Sequence, residues 1–342
     1  MLLASNRATR GASLRTTPAL RLTAFVYVLA CPACGGGDSG DPNEPTLVEA
    51  PAQAFPPTLN QVGLYQDLVQ RTPSPRALPY TPRSGLWSNG LAKERFIVVP
   101  QGEAIDADEA DWAFPENTLL FKTFVGDDGP VETRIVRTTG GAPEFAAYRW
   151  DGDQAALLDG ERGVDLEVRV DDETTAHEIP SIRSCEQCHE SSPSPVLGFA
   201  PLQLAGAAEA ASEQMDRLVA AGALSEKPRL DTALDRFEGE ELSVLSYFVG
   251  NCVHCHNDSG GIASSFDLSP AVAFDAVIDQ PTASSASAVG IRVVPGDAAA
   301  SILFQAVSGE TDDREVKSMP PVGVQRRDET GIELLRGWIN GL

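Results

Sequence analysis

Basic residues are in short supply in this sequence. Its 342 residues include 26 Lys and Arg against 49 Asp and Glu, which gives a net charge of −23. Phosphate binding needs a basic face, so this balance excludes a protein that holds nucleic acid by charge. An acidic chain of this kind stays soluble and favours basic partners at low salt. Simple solvation of an acidic surface is the plainer interpretation of the same charge.

Cysteine and histidine are also rare, and most of them stand in two copies of one pattern. The sequence has six Cys and four His, and C-x-x-C-H occurs at residues 185–189 and again at 252–256. This spacing is typical of c-type haem attachment, because two thioether bonds tie the porphyrin to one turn of backbone and the next histidine reaches the iron. We therefore predict two covalent haems, with attachment through Cys185, Cys188, Cys252 and Cys255 and iron ligation by His189 and His256.

The N-terminal region lacks an apolar run long enough to cross a membrane. Four arginines precede the short apolar segment 22–30, which suits the core of an export signal. Cys31 and Cys34 follow, and each resembles the lipidated cysteine of a bacterial lipobox. Residues 1–34 are therefore predicted to be a signal peptide and lipobox region, with an ordinary cleaved signal as the alternative. Residues 35–54, rich in Gly, Pro and acids, are predicted to be a flexible linker.

This assignment leaves no cysteine for a structural disulfide. A structural zinc site is the alternative interpretation of the C-x-x-C spacing, and it would need Cys and His from both motifs gathered at one point. The export signal and the histidine directly after each motif favour haem instead, because haem is coupled to the protein outside the cytoplasm.

Residues 55–181 lack any spacing of catalytic residues and are predicted to be β-rich. Short runs of β-branched and aromatic residues alternate with Gly-Asp, Gly-Gly and Asp-Gly turns, which favours an antiparallel sandwich or barrel-like domain. The segment 80–96 could line a binding groove with Trp87, Lys93 and Arg95. More often, such a tryptophan belongs to the core and such basic residues are solvated.

Residues 182–238 are predicted to be a first haem-binding segment with a helix over 202–224. The sixth ligand of this haem stays open between two residues and an unfilled position. Met215 on the helix is one candidate, and filling the core is its alternative role. His177 upstream is the other, with a surface histidine beside Glu178 as its alternative.

The surroundings of the second motif are predicted to be mainly helical. Leu and Val spacing predicts an amphipathic helix over 240–249 that runs into the motif. Asp297 is expected to cap a helix over 298–307. A closing helix over 329–342 should pack against the helix over 240–249.

The sequence also predicts the roles of two side chains near the second motif, Met319 and His254. Met319 stands in a Ser-Met-Pro-Pro loop, and a methionine held by prolines suits a sixth haem ligand. A chance turn is its alternative. His254 lies between the two cysteines of its own motif, so it should point away from that iron and be exposed.

Residues 239–342 resemble the class I c-type cytochrome domains of bacterial secreted proteins. From Phe55 onward the chain is similar to a family of bacterial dihaem c-type cytochromes, in which a β-rich region precedes a first C-x-x-C-H. The resemblance implies an α+β chain, with a β-rich domain followed by a mainly α-helical cytochrome c domain. It also implies that one haem is served by Cys185, Cys188 and His189, and the other by Cys252, Cys255, His256 and Met319.

The function predicted from these residues is one-electron transfer by an exported dihaem c-type cytochrome. Its partners would be redox proteins, and its only membrane contact an N-terminal lipid anchor. The expected location is the periplasm, outer membrane or cell surface of a Gram-negative bacterium. One alternative is a dihaem peroxidase-like enzyme with the first haem as substrate site. Another is a sensor whose β domain binds a ligand.

Overall fold

Strands dominate the first half of the chain. A computed structural model describes residues 54–107, 112–192, 194, 196–204, 209–227, 236–258, 265–283 and 288–342. Within them, a short 3₁₀ helix (Leu59–Val62) precedes β1 (Tyr65–Asp67), β2 (Thr72–Pro73), β3 (Leu78–Pro79), β4 (Ala92–Val98), β5 (Leu119–Gly126), β6 (Gly129–Arg137), β7 (Glu144–Asp151), β8 (Gln154–Leu157), β9 (Val164–Val170) and β10 (Glu173–Ile179). The β-rich region expected from the sequence is present. The candidate lipidated residues Cys31 and Cys34 lie outside the described residues.

Every pairing between these strands is antiparallel. The largest sheet has the order β3-β4-β5-β6-β7-β8, while β1 pairs with β2 and β9 with β10. The large sheet therefore follows the chain as an open meander and does not close into a barrel. The β9–β10 hairpin turns at Asp171 and Asp172, both with positive φ, as a two-residue hairpin of primed type requires.

The two faces of the large sheet bury different clusters. One face packs Phe96, Phe121 and Tyr148 against the 3₁₀ helix and the β1–β2 ribbon. On the opposite face, Ile97 and Leu120 pack against the helices that follow the first motif. The β9–β10 hairpin covers the end of that second face at Phe124.

The regular elements described in the second half of the chain are helices. Their bounds are α1 (Ile182–Glu190), α2 (Pro201–Leu204), α3 (Glu209–Ala220), α4 (Gly239–Asn251), α5 (Ala273–Val277), α6 (Ile302–Ser308) and α7 (Glu329–Gly341). The fold is therefore α+β, with the β-rich part first. α4 and α7 bury their apolar faces against each other, and Trp338 of α7 meets Phe248 of α4 edge-on at 6.1 Å between ring centres. The predicted pairing of these two helices is confirmed.

One predicted helix start is wrong. Asp297 does not cap a helix at residue 298, because its carboxylate accepts a hydrogen bond from the Ala300 N–H (3.0 Å) within a separate turn. The helix α6 begins four residues later than predicted, at Ile302, after Ser301. The side chain of Ser301 donates back to the Asp297 carbonyl (2.8 Å), so the turn satisfies its own polar groups.

Candidate functional site

The first motif lies on α1, directly after the β-rich region. Ser181 caps this helix by accepting a hydrogen bond from the Ser184 N–H, and Cys185, Cys188 and His189 then share one helical face. Both thiols are free and half-buried. The His189 ring lies 4.9 Å from the Phe145 ring of β7, so α1 rests on the large sheet.

The second motif forms the turn that ends α4. The Cys252 N–H donates a hydrogen bond to Phe248 O (2.8 Å), as within the helix. The N–H groups of Cys255 and His256 both donate to Cys252 O. These two thiols are also free. The His256 ring packs on Phe266 at 4.4 Å, and burial lowers the pKa of His256 while a hydrogen bond with the Phe266 backbone opposes that change. Such a bond fixes ring orientation in metal-ligating histidines.

The fold brings the two motifs side by side. Asn257, the residue after His256, donates a hydrogen bond to the carbonyl of Ser191, which ends α1 (2.8 Å). Burial raises the pKa of the Cys255 thiol to about 11, and the neighbouring Cys188 thiol adds to the rise. The two attachment turns are therefore neighbours in space although Asn257 and Ser191 are 66 positions apart in the sequence.

Met319 lies beside the helix that leads into the second motif. Its loop is tied to α6 through a hydrogen bond from the Met319 N–H to Ala306 O (2.9 Å). The half-buried side chain lines a pocket together with Tyr247 and Asn251 from the last turns of α4. The loop therefore presents its methionine beside the last turns of α4, the helix that leads into Cys252.

The two candidate sixth ligands of the first haem are engaged elsewhere. Met215 is 1 % exposed and packs in the cluster beneath α3, which is the core role considered for it. His177 is 3 % exposed, and its Nε2 is 2.7 Å from Glu132 Oε1. The surface alternative for His177 is therefore wrong, because β10 turns this side chain inward against Phe124.

His254 is not exposed as predicted. It is half-buried, and burial lowers its pKa to about 4, with smaller contributions from Lys122 and His256. The prediction considered only the direction of the side chain relative to its own motif. In the folded chain Lys122 of the large sheet lies near enough to that side chain to act on its charge.

A strap made of residues 80–91 joins the β-rich region to the second motif. Its Trp87 N–H donates to Asn251 Oδ1 (2.7 Å), and Gly250 lies so close to the Ser84 backbone that any side chain there would overlap it. In the same strap, Asn89 Oδ1 accepts from the N–H groups of Gln325 and Arg326, at 2.7 and 3.0 Å. The strap therefore braces both the end of α4 and the chain that follows Met319.

The structure gives several residues near the site other surroundings than the sequence predicts. The sequence predicts that Trp87 lines a groove or belongs to the core. In the structure its side chain is half-buried, and its Nε1–H donates a hydrogen bond to Arg326 O (2.6 Å). Lys93 and Arg95 are half-buried rather than solvated. For Lys122 the sequence did contain a signal. A lysine in the middle of an otherwise apolar strand indicates a cation that is at least partly buried.

Comparisons with protein-family models, curated proteins and solved structures find no match. Among the helices described, none is long and apolar enough to span a membrane. The described part of the chain also has no group of three or more His, Cys, Asp or Glu placed to hold a metal ion.

The residues present fit covalent haem. Each motif offers two thiols outside any disulfide, on one turn, with a histidine beside them. The second motif adds an oriented His256 ring and a nearby thioether. The arrangement can hold two redox groups close to each other.

Proposed function

We propose that this chain is an exported dihaem c-type cytochrome that transfers electrons one at a time. The observation that carries the proposal is the pair of C-x-x-C-H turns, with four free thiols, held together by the Asn257–Ser191 hydrogen bond. Haem attached there would supply reversible one-electron chemistry between ferrous and ferric iron. Two such groups on adjacent turns form a short internal path for electrons.

In this proposal, Cys185 and Cys188 attach one haem and His189 binds its iron. Cys252 and Cys255 would attach the other, and His256 and Met319 would bind its iron. A thioether ligand favours a raised reduction potential. The hydrogen bond between His256 and the Phe266 backbone would hold the imidazole in one orientation. The strap would keep the Met319 loop close to α4.

The finer architecture belongs to the same proposal. Residues 239–342 would be a class I-like cytochrome c domain, which the α4–α7 packing supports. The large sheet with the β9–β10 hairpin would be a sandwich-like domain of a family of bacterial dihaem cytochromes. Export with an N-terminal lipid anchor follows from the sequence of residues 1–34, and the net charge of −23 would favour basic redox partners.

A dihaem peroxidase-like enzyme is the second candidate. It is favoured by the engagement of Met215 in the core and of His177 with Glu132, because neither side chain is then free to fill the sixth position of the first haem. An unfilled position would admit a small substrate such as peroxide. The second haem site would then serve as the electron supply.

Optical and paramagnetic spectra of the mature protein test both candidates. For the electron carrier we expect two low-spin haems and a methionine–iron charge-transfer band that disappears in Met319→Ala. Met215→Leu is the matched control and should keep the band, because Met215 lies in the core cluster with α3. A high-spin first haem that binds added cyanide would favour the enzyme. A band that survives in Met319→Ala would refute the assignment of Met319.

A further inference from the structure

Four basic side chains share one face of the large sheet. In the register of β4, β5 and β6, Arg95 pairs with Lys122 and Lys122 pairs with Arg134. Lys93 lies two residues before Arg95 and so points to the same side. We call these four residues the cationic row. Like charges directly opposite each other destabilise a sheet. A chain with 26 basic and 49 acidic residues could have avoided them.

The row has fewer carboxylate partners than cations, and the Phe124 ring, at 4.4 to 6.0 Å from Lys93, Lys122 and Arg134, compensates it only in part. Arg134 has a partner in Glu132, at 2.8 Å from its Nε, but Glu132 also bonds to His177. Among the described residues, no ion pair is formed by Lys93, Arg95 or Lys122. All three are half-buried, and burial, reinforced by the neighbouring cations, lowers the pKa of Lys122 to about 7 and that of Lys93 to about 8.

The row faces both haem motifs. α1 lies on β7, the strand next to Arg134, through the contact of His189 with Phe145. Burial raises the pKa of the Cys185 thiol, and the charge of Arg134 opposes that rise; at Cys188 the main opposing charge is Lys122. Lys122 also acts on His254 of the second motif. The excess positive charge therefore lies close to the first attachment turn, and Lys122 is near enough to the second motif to act on His254.

We propose that the cationic row binds carboxylate groups. Arginine offers a planar pair of donors to a carboxylate and lysine a compact charge, so the row suits an anion with more than one carboxylate. Two sources have this chemistry: the propionates of a haem attached at the motifs, an assignment that rests on the proposed function, and a free carboxylate anion. In either case these are positioning residues that place a negatively charged group beside the redox site.

Citrate binding at constant ionic strength tests the proposal. Calorimetry would use the full chain in two forms, one matured with haem and one produced without haem maturation. Lys122→Met and Arg95→Met should each weaken citrate binding about tenfold, the loss expected for one charge-assisted contact. Arg162→Met is the matched control, because Arg162 is exposed outside the row and its loss changes the net charge equally.

The two forms of the chain distinguish the sources. If the propionates occupy the row, the haem-free chain binds citrate and the haem-loaded chain does not. If the row serves a free anion, both forms bind citrate, and Lys122→Met weakens that binding about tenfold in both. A wild-type chain without covalent haem after maturation would refute the proposed function. Citrate binding to that same chain would still show whether the cationic row binds carboxylates.

A stability measurement separates binding from a structural role. Without a multivalent anion, Lys122→Met should raise the melting temperature of the haem-free chain, because it removes a buried, repelled charge; a structural lysine would give a lower value. Circular dichroism checks folding, and Lys122→Arg should keep citrate binding. Equal citrate affinity in wild type, Lys122→Met and Arg95→Met, or no citrate binding by either form, would overturn the proposal.

Discussion

Glu132 is a buried carboxylate held by partners on two strands. It is 0 % exposed, bonds Arg134 on its own strand and bonds His177 on β10. Removing one member of a buried charged network leaves the others without compensation. This network fixes the β9–β10 hairpin to the large sheet at the edge of the cationic row.

Glu132→Gln should therefore lower the free energy of unfolding by on the order of 3 kcal/mol. Glu94→Gln is the matched control, because Glu94 pairs with Arg71 at a half-exposed site and should cost under about 1 kcal/mol. Denaturant unfolding of both variants measures the difference. Equal losses would show that the Glu132 network does not stabilise the hairpin.

The same network predicts a pH dependence. Burial raises the pKa of Glu132, but Arg134 and His177 outweigh burial and bring it below the ordinary value of 4.5. The carboxylate therefore contributes its full stability above pH 4.5, and that contribution is lost as the pH falls through the lower folded-state pKa. The stability gap between wild type and Glu132→Gln should narrow on acidification below pH 4.5. A gap that widens there would contradict the assignment.

At the scale of elements, the strap is the connection that matters most to the second site. Asn89 is 2 % exposed, has a positive φ of 54°, and accepts two backbone N–H groups from the chain after Met319. Asn89→Gly keeps this backbone conformation and deletes the Oδ1 atom that accepts both hydrogen bonds. We expect a loss of roughly 2 kcal/mol and faster hydrogen exchange at the Gln325 and Arg326 amides.

Asn117→Gly is the control for the strap. Asn117 also has a positive φ, of 66°, and no side-chain hydrogen bond within the described residues, so its replacement should cost under about 1 kcal/mol. It should leave exchange at Gln325 and Arg326 unchanged. If Asn89→Gly also leaves that exchange unchanged, the strap does not hold the Met319 loop.

The elements themselves were largely predictable, because their signals are local. Alternation and turn residues marked the strands, and apolar spacing marked α4 and α7. The start of α6 was misplaced because Asp297 can cap either a helix or an isolated turn. The cationic row could not be foreseen, since the register between Arg95, Lys122 and Arg134 depends on how two hairpins close. The burial of His177 and His254 depends on the same long-range packing.

At the scale of the whole molecule, the β-rich region and the helices share a core. All described residues belong to one compact unit. Ile97 and Leu120 of the sheet pack against Leu204 of α2 and Met215 of α3. The strap adds hydrogen bonds to α4. The sequence could indicate where the chain changes from strands to helices, but not that these parts bury each other.

An isolated fragment of residues 55–181 should therefore expose the face around Ile97 and Leu120. We expect this fragment to bind a hydrophobic dye and to unfold over a broad range of denaturant. A fragment of residues 55–342 should bind no dye and unfold cooperatively. A sharp transition and no dye binding for 55–181 would show that the sheet is stable without its helices.

Covalent haem per chain is the quantity that tests the account most directly. The mature protein, produced with a cytochrome c maturation system, would be assayed by pyridine haemochrome beside two variants, Cys185→Ala/Cys188→Ala and Cys252→Ala/Cys255→Ala. We predict two haems in the wild type and one in each variant, because each pair of thiols attaches its own haem. A wild-type chain without covalent haem would contradict the account and return the two C-x-x-C turns to zinc or thiol chemistry.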